Sequence, residues 1–316
     1  MEKYNKYSDD LKSTYGEKVY KIPINIPVTC PNRDGCVGTG GCIFCGEEGT
    51  GFESLSNDMS VKDQITKNIE HIAAKYAAKK YIAYFQNFSN TYLPIEKFKE
   101  YIEEAIVENI VEIAISTRPD CINEEYLVFL RKTADKHKVN ITIELGLQTV
   151  NYKTLKKINR GHTLVEYIDA VLNIKKYGFK VCTHMILNLP WDDEEDAIEG
   201  AKIISALEID YIKLHSLYLV KNTVLSEMYN RKEFEMISAD DYKKRVIMFL
   251  EYLSPKIVIQ RLISRAPKQN TTFVNWHTSW WKIRDEIEAE MERNGRYQGR
   301  MFDYLGGRAI REMKVK

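Results

Sequence analysis

"TCPNRDGCVGTGGCIFCGEEGTGF", residues 29–52, holds four of the chain's six cysteines, Cys30, Cys36, Cys42 and Cys45, among seven glycines. Cys42 and Cys45 form a C-x-x-C pair, and eleven residues separate Cys30 from Cys42. Taken alone, the pair fits a structural zinc knuckle that uses all four thiolates, or a cluster site in which Cys36 is a bystander. Position separates the two readings. The loop follows a strand-like run, "VYKIPINIP" (19–27), and opens a repeated grammar of short β-rich runs and longer helical patterns.

"YIAYFQN", "VEIAIST", "VNITIELGL", "KVCTHMILNLP" and "YIKLHSLYLV" read as further strands. Between them lie amphipathic segments such as "IEKFKEYIEEAIVEN" and "TLVEYIDAVLNIKKYG". Asn123, Thr163 and Asp192 stand where N-caps belong, and Gly178 stands at a helix end. Strands apolar on both parities are expected where helices cover a parallel sheet. Six βα units in series imply a right-handed parallel sheet, either an open barrel or doubly wound. Ligands in such sheets sit beyond the carboxyl ends of the strands, where the cysteine loop lies. A closed four-thiolate site there would block the mouth to no evident purpose. After Val220 the rhythm fails; "SADDYKKRVIMFLEYLS" (238–254) reads as a capped helix and "KIVIQRL" as one more strand.

Lys and Arg total 46 and Asp and Glu 45 among 316 residues, so there is no basic arm of the kind that binds nucleic acid. The first residues carry no apolar signal core, and no apolar run approaches the roughly 18 residues of a membrane span. A cytoplasmic protein with reduced cysteines is expected, and clustered thiols there point to metal or catalysis.

The loop resembles the cluster-binding loop of radical S-adenosylmethionine (SAM) enzymes in its long-spaced form, with Phe44 as the aromatic before the last cysteine. "CPNRDG…GTGGCIFC", "STRPDCI", "IELGLQTVNYKTLKKINRGHT", "HMILNLPWDDEEDAI", "KLHSLYLVKNTVLSEMY" and "IVIQRL" follow in order between Tyr4 and Gly299. Together they resemble the YhcC/YtqA-like (MnmL-like) group, related to the radical SAM core of the Elongator catalytic subunit. The resemblance implies an α/β fold, a partial (β/α)6 TIM-like barrel of the radical SAM type with a C-terminal α/β extension. Its divisions are an N-terminal extension (1–16), the core (17–222) and a C-terminal extension completing or capping the barrel (223–316).

The resemblance also implies a [4Fe–4S] cluster on Cys30, Cys42 and Cys45, with SAM as the second cofactor. Cys36 departs from the pattern; a fourth ligand of a resting state, a hydrogen-atom or thiyl participant and a small loop residue are the alternatives, and the last is favoured. Ser89 and Thr91 are the expected contacts near the SAM amino group, and Ser116 and Arg118 those near the ribose or carboxylate. Gln148 ends the fourth strand. Arg160 follows it at a spacing similar to that of coproporphyrinogen-oxidase-like radical SAM enzymes, where both residues bind SAM. A guanidinium there suits the SAM carboxylate. His184 is expected at the ribose, and Leu187-Asn188 at the adenine.

The family is associated with wobble-uridine modification in tRNA. The implied step converts 5-carboxymethylaminomethyluridine to 5-aminomethyluridine, served by a one-electron reductant such as flavodoxin or ferredoxin and followed by a separate tRNA methyltransferase, with no membrane involved. Expected phosphate contacts are Lys3, Lys6, Lys12, Lys18 and Lys21, with Trp276, His277, Trp280 and Trp281 as an aromatic patch. Arg33, Lys213, Lys221 and Arg261 are the cations expected at the modified base. Arg261 is favoured as the partner of its carboxylate, strand alternation letting only one of Gln260 and Arg261 face the site. Two other readings stand beside this one. One is a radical SAM enzyme for a small metabolite or a protein, and the other is a non-catalytic zinc module.

Overall fold

The computed structural model describes residues 2–47, 49, 54–76, 78–265 and 269–313. In chain order the elements are α1 (Tyr7–Tyr15), β1 (Val19–Ile24), α2 (Val61–Tyr76), β2 (Lys80–Phe85), α3 (Ile95–Glu104), β3 (Ile110–Thr117), α4 (Glu124–His137), β4 (Asn140–Gln148), α5 (Tyr152–Lys157) and α6 (Leu164–Lys176). There follow β5 (Lys180–Ile186), α7 (Glu194–Ala206), β6 (Tyr211–His215), β7 (Leu219–Val220), α8 (Val224–Asn230), α9 (Ala239–Tyr252), β8 (Val258–Arg261), β9 (Thr271–Phe273) and α10 (Trp280–Arg293).

Seven strands make one parallel sheet in the order β1-β2-β3-β4-β5-β6-β8. The sheet is curled into a half-barrel with helices outside, so the expected open-barrel alternative holds. The seventh strand comes from the C-terminal extension. Alternation divides the strand side chains between two environments. Ile22, Ile24, Phe85, Ile113, Ile115, Ile143, Leu145 and Val181 face the helices in the main core. Leu11, Val19, Ile82, Tyr84 and Ala114 form a separate cluster inside the barrel.

Leu11 belongs to α1, so the N-terminal extension packs into the fold. α1 plugs the barrel, where Tyr15 donates to Glu112 (2.6 Å) and Tyr211 donates to Asp10 (2.9 Å). Lys6 forms a parallel bridge with Ile259 of β8, so the N-terminal segment borders the sheet's last strand before β1 begins its first.

The helix caps explain where elements begin. Asn123 accepts from Tyr126 N at the start of α4, and Thr163 forms a capping box with Glu166 at α6. The cap of α7 is Asp193 rather than the expected Asp192, because the Asp193 carboxylate accepts from the backbone N–H groups of Glu195 and Asp196. "YIKLHSLYLV" is not one strand. It leaves the sheet after His215, where Asn188 Oδ1 accepts from Leu217 N (2.6 Å) and Ser216 donates to Asn275 (2.6 Å). The remainder, β7, pairs antiparallel with β9.

Candidate active site

A cavity of about 880 Å³ lies inside the half-barrel and is bordered by the cysteine loop. Its volume is within the range of small-molecule sites. Among the described residues, ten lysines and arginines line it against one acid, Glu288. Ten of the chain's 46 lysines and arginines thus border one cavity, two of them, Lys21 and Lys213, paired with buried Glu144.

The cysteine loop is clasped by the loop after α5. Ile43 N donates to Ile158 O (3.1 Å), and Asn159 Nδ2 donates to Gly41 O (2.8 Å). Asn32 reaches the other way, donating to Asn159 O and to Cys42 Sγ (3.7 Å). Gly161, at φ +80°, makes the close approach possible, since a Cβ there would stand 2.7 Å from Asn32 Oδ1. Cys30, Cys42 and Cys45 all line the cavity, whereas Cys36 is exposed.

Each of these three thiols accepts from a different arginine. Arg118 Nη1 lies 3.8 Å from Cys30 Sγ, Arg160 Nη1 3.6 Å from Cys42 Sγ, and Arg33 Nη2 3.2 Å from Cys45 Sγ. Burial, then the neighbouring Cys42, pushes the Cys45 thiol up, and Arg33 opposes them. Among the described residues, the one three-ligand group with donor atoms all within 4.8 Å is Glu144, Cys182 and His184. The loop sulfurs are thus spread wider than a single tetrahedral ion, with Zn–S of about 2.3 Å, would hold them. Three spaced thiols with facing N–H donors fit a [4Fe–4S] cluster, whose sulfurs take hydrogen bonds from the protein.

The end of β4 supplies the neighbouring polar groups. The β4–β5 register slips between Gly146 and Gln148, and Gln148 takes φ +76°. At Gly146 a Cβ would lie 2.7 Å from Arg160 Nη2 and 2.8 Å from Gln148 Nε2, so only glycine lets both side chains lean across the strand. The Gly146 carbonyl accepts from Arg160 Nη2 (2.6 Å) and is 3.0 Å from His162 Nε2. Arg160 Nε remains buried with no protein partner. Ser89, Ser116, Gln148 and Arg160 line the cavity together with the three cysteines. This polar set fits the amine, carboxylate and ribose of SAM.

Deeper in the barrel lies an ion cluster centred on Glu144, which is fully buried. Its carboxylate accepts from Lys21, from Lys213 (3.1 Å) and from His184 Nε2 (2.9 Å). Burial works against this charge, but Lys21, Lys213 and His184 together hold the carboxyl well below the usual range. Burial pulls Lys213 down to about 8 against the attraction of Glu144. Burial, then Lys213, pulls His184 down to about 4. Burial, then Arg261, keeps His215 well below its ordinary value. Burial also raises the Cys182 thiol well above its ordinary value. With two ammonium groups on Glu144 and a neutral Cys182, the trio is an ion-pair hub and not a metal site.

Several expected site residues hold other posts. Thr91 is hydrogen-bonded to Thr117 (2.7 Å) and to Cys121 O (2.6 Å) and is absent from the cavity wall. Asn188 is engaged with the backbone of Leu217. Arg118 spends its three nitrogens on Asp120 (2.8 and 2.6 Å), Arg160 O (2.8 Å) and Cys30, so it braces the cluster loop and has no fork left for a SAM carboxylate. Arg33 is bonded to the carbonyls of Cys45 and Gly46 and lies 5.1 Å from the centre of the Phe88 ring, which makes it a brace of the same loop. His184 meets Glu144 where a ribose contact was expected.

Lys21 points into the barrel and is not a surface phosphate contact. Lys3 pairs with Glu292 (2.9 Å), and Lys221 Nζ reaches Gln269 O (3.4 Å). Trp276 packs against the core and donates to Ile237 O (2.7 Å). Trp280 stands at the cavity wall with Arg265 at 4.0 Å and Arg284 at 5.3 Å from its ring, while Trp281 is exposed.

Arg261 and Gln260 both line the cavity. The β6–β8 register skips Gln260, pairing Ile212 with Ile259 and Lys213 with Arg261. This bulge turns consecutive side chains to the same face, and the expectation that only one could reach the site is corrected by it. Glu144 and Tyr84 were not singled out from the sequence. The signal for Glu144 was available, as the lone charged residue in the strand "VNITIELGL".

The family model of the radical SAM superfamily matches residues 24–202, and that of the radical SAM C-terminal domain matches residues 209–293. The chain is 34% identical to the uncharacterised protein YtqA of Bacillus subtilis over 306 residues, covering 96% of this chain and 94% of that protein. It is 29% identical to YhcC of Escherichia coli, covering 92% and 93%. It is also 29% identical over 168 residues to a tRNA uridine(34) acetyltransferase of Methanocaldococcus jannaschii, covering 52% of this chain and 30% of that enzyme. Among solved structures it is similar to Elp3 of Methanocaldococcus infernus, with a TM-score of 0.68 and 18% identity over 89% of this chain and 64% of that one. That likeness extends to the fold. Among the described residues, no helix is long and apolar enough to cross a membrane.

Proposed function

We propose, from the premise that the chain belongs to the radical SAM superfamily, that this enzyme modifies the wobble uridine of tRNA, converting 5-carboxymethylaminomethyluridine to 5-aminomethyluridine. The observation that carries the reading is the charge of the cavity, ten cations against one acid. Six of those cations have partners within the site, Lys6 with Glu288 (3.5 Å) among them. Arg33, Arg118 and Arg160 face the thiols, and Lys21 and Lys213 hold Glu144. Of the rest, Arg265 and Arg284 stand at the Trp280 ring, Lys18 lies over the rings of Tyr20 and Tyr76, and Arg261 is inside. A basic rim with an aromatic surface suits a phosphate backbone and a splayed base. The relative named a tRNA uridine(34) acetyltransferase points to the same nucleotide.

Cys30, Cys42 and Cys45 would hold the [4Fe–4S] cluster, and Ser89, Ser116, Gln148 and Arg160 would hold SAM. Bound together, these cofactors supply a 5′-deoxyadenosyl radical that abstracts a hydrogen atom. The methylene between the amine and carboxylate of the substrate is the position where the resulting radical is stabilised from both sides. Loss of one further electron to a one-electron carrier, and of the amine proton, gives an imine whose hydrolysis releases the aminomethyl base and glyoxylate. That proton passes to solvent, because His184, which donates Nε2–H to Glu144 and is pulled down to about 4, stays a neutral ring. A reductant of the flavodoxin or ferredoxin class would serve the cluster, and a separate methyltransferase would act on the product.

The test is nucleoside analysis of tRNA from a strain lacking the gene, paired with conversion of that tRNA by reconstituted enzyme, SAM and reductant. The carboxymethylaminomethyl nucleoside should accumulate in the strain and disappear in the reaction. If wild-type enzyme cleaves SAM yet leaves the nucleoside unchanged, the tRNA reading fails.

A further inference from the structure

Of the cavity's cations, Arg160 and Arg261 are alike in having a buried Nε without a partner and no ion pair among the described residues, but Arg160 is engaged at the cysteine loop and Arg261 is not. Arg261 Nη2 rests on His215, 2.6 Å from Nδ1 and 3.2 Å from Nε2, and its Nε is shielded from solvent without a hydrogen-bond partner. Among the described residues it forms no ion pair. Glu144, a buried carboxylate nearby, is taken by Lys21, Lys213 and His184. The β8 bulge aims Arg261 into the cavity opposite Lys213, its register partner on β6. Tyr218 lines the cavity together with Arg261 and Cys45.

A partly buried guanidinium with a shielded, unmet donor and no ion pair among the described residues is costly unless an anion completes it. The neutral His215 beneath it holds it in place without competing for the anion. The occupant must therefore bring its own negative charge, and a planar two-oxygen group fits the fork.

We infer that Arg261, on its His215 support, is the seat of a carboxylate carried by the substrate, and that this seat tells substrate from product. The inference rests on the reading of a carboxymethylaminomethyl substrate and names how that group is held. The substrate side chain is a zwitterion, with an amine and a carboxylate. Once the carboxylate fragment has left, the product side chain is an ammonium alone, placed among lysines and arginines. The cations that bind the substrate then repel the product.

The experiment measures binding of two free nucleosides, 5-carboxymethylaminomethyluridine and 5-aminomethyluridine, to cluster-loaded enzyme saturated with SAM and kept oxidised. Wild-type protein should prefer the carboxylate nucleoside by about ten- to a hundredfold, the worth of hydrogen bonds to a charged group. Arg261→Gln should lose that preference, and Arg261→Lys should recover part of it, having charge without the fork. Iron content reports whether each variant has kept its site. If Arg261→Gln does not fold, the wild-type preference and the Arg261→Lys value decide. Equal affinity of wild-type enzyme for the two nucleosides, no detectable binding of the carboxylate nucleoside, or a preference unchanged in Arg261→Gln would each overturn the seat. An Arg261-dependent preference in an enzyme that leaves tRNA untouched would uphold the seat and sink the tRNA reading alone.

Discussion

Glu144→Gln is the substitution that most directly tests the physical account of the barrel floor. The Glu144 side chain is 0% exposed, and its partners Lys213 and Lys21 are 11% and 20% exposed. Glutamine keeps the shape but leaves two ammonium groups facing each other in a poorly hydrated place. Removing one partner from such a buried group costs about 3–5 kcal/mol. Unfolding entropy of about 2.1 cal/mol/K per residue over 316 residues puts the fall in Tm at about 5–8 °C.

The cost should depend on pH with a definite sign. Lys213 is already held below its ordinary value by burial, and Glu144 is what pulls it back up. Without Glu144 its folded value falls further below the unfolded one. The unfolded chain then binds the extra proton, so the variant gains stability relative to wild type as pH rises from 7 to 9. Thermal unfolding of both proteins at the two pH values is the assay. Pairing Glu144→Gln with Lys213→Met should return part of the loss, because it removes the stranded charge. A cost below about 1 kcal/mol at pH 7, or one that grows toward pH 9, would show that the floor is hydrated and the cluster incidental.

Two further outcomes concern the cysteine loop. Cys30→Ala, Cys42→Ala and Cys45→Ala should each abolish the brown chromophore of anaerobically reconstituted protein, whereas Cys36→Ala, an exposed position away from the cavity wall, should retain about four irons per chain; loss of iron in Cys36→Ala would add a fourth ligand. Arg33→Gln withdraws both a positive charge and an N–H donor 3.2 Å from Cys45 Sγ, so the cluster's midpoint potential in an EPR-monitored titration should fall; an unchanged or raised potential would mean that Arg33 only shapes the loop.

The elements that strand and helix periods announce were legible from the sequence: the parallel array, the cysteine loop at its mouth, the caps at Asn123 and Thr163 and the strand hidden in "IVIQRL". What escaped depended on register. Alternation predicts one of Gln260 and Arg261 facing inward, but a bulge is a property of two strands together and cannot be seen in one. The same holds for Gln148, turned by the slip after Gly146. Asp192 and Asp193 are equal as cap candidates by type, and the turn from Leu189 chooses between them by fixing Asp192 N. The lysines read as a surface track failed most plainly at Lys21. Nothing in "VYKIPINIP" says that a buried carboxylate waits three strands away on β4.

Glu144 also explains how a cavity so rich in cations can be selective and not merely adhesive. If Lys21 and Lys213 were unpaired, they would offer an anion alternative resting places below Arg261. Pairing them with Glu144 ties both down and fixes the His184 tautomer with the same carboxylate. Arg261, two residues beyond Ile259 and displaced inward by the bulge, is left as the cation of the floor with unmet hydrogen-bonding capacity. Charge is therefore graded from rim to floor. Lysines and arginines at the mouth can meet phosphates without strict geometry, whereas inside, one fork has a fixed position and a fixed support. It follows that Glu144→Gln should loosen selectivity as well as stability. With Lys213 released, a carboxylate has two seats, and the preference for the carboxylate nucleoside should depend less on Arg261 than it does in wild type. Full dependence on Arg261 in the Glu144→Gln background would refute that coupling.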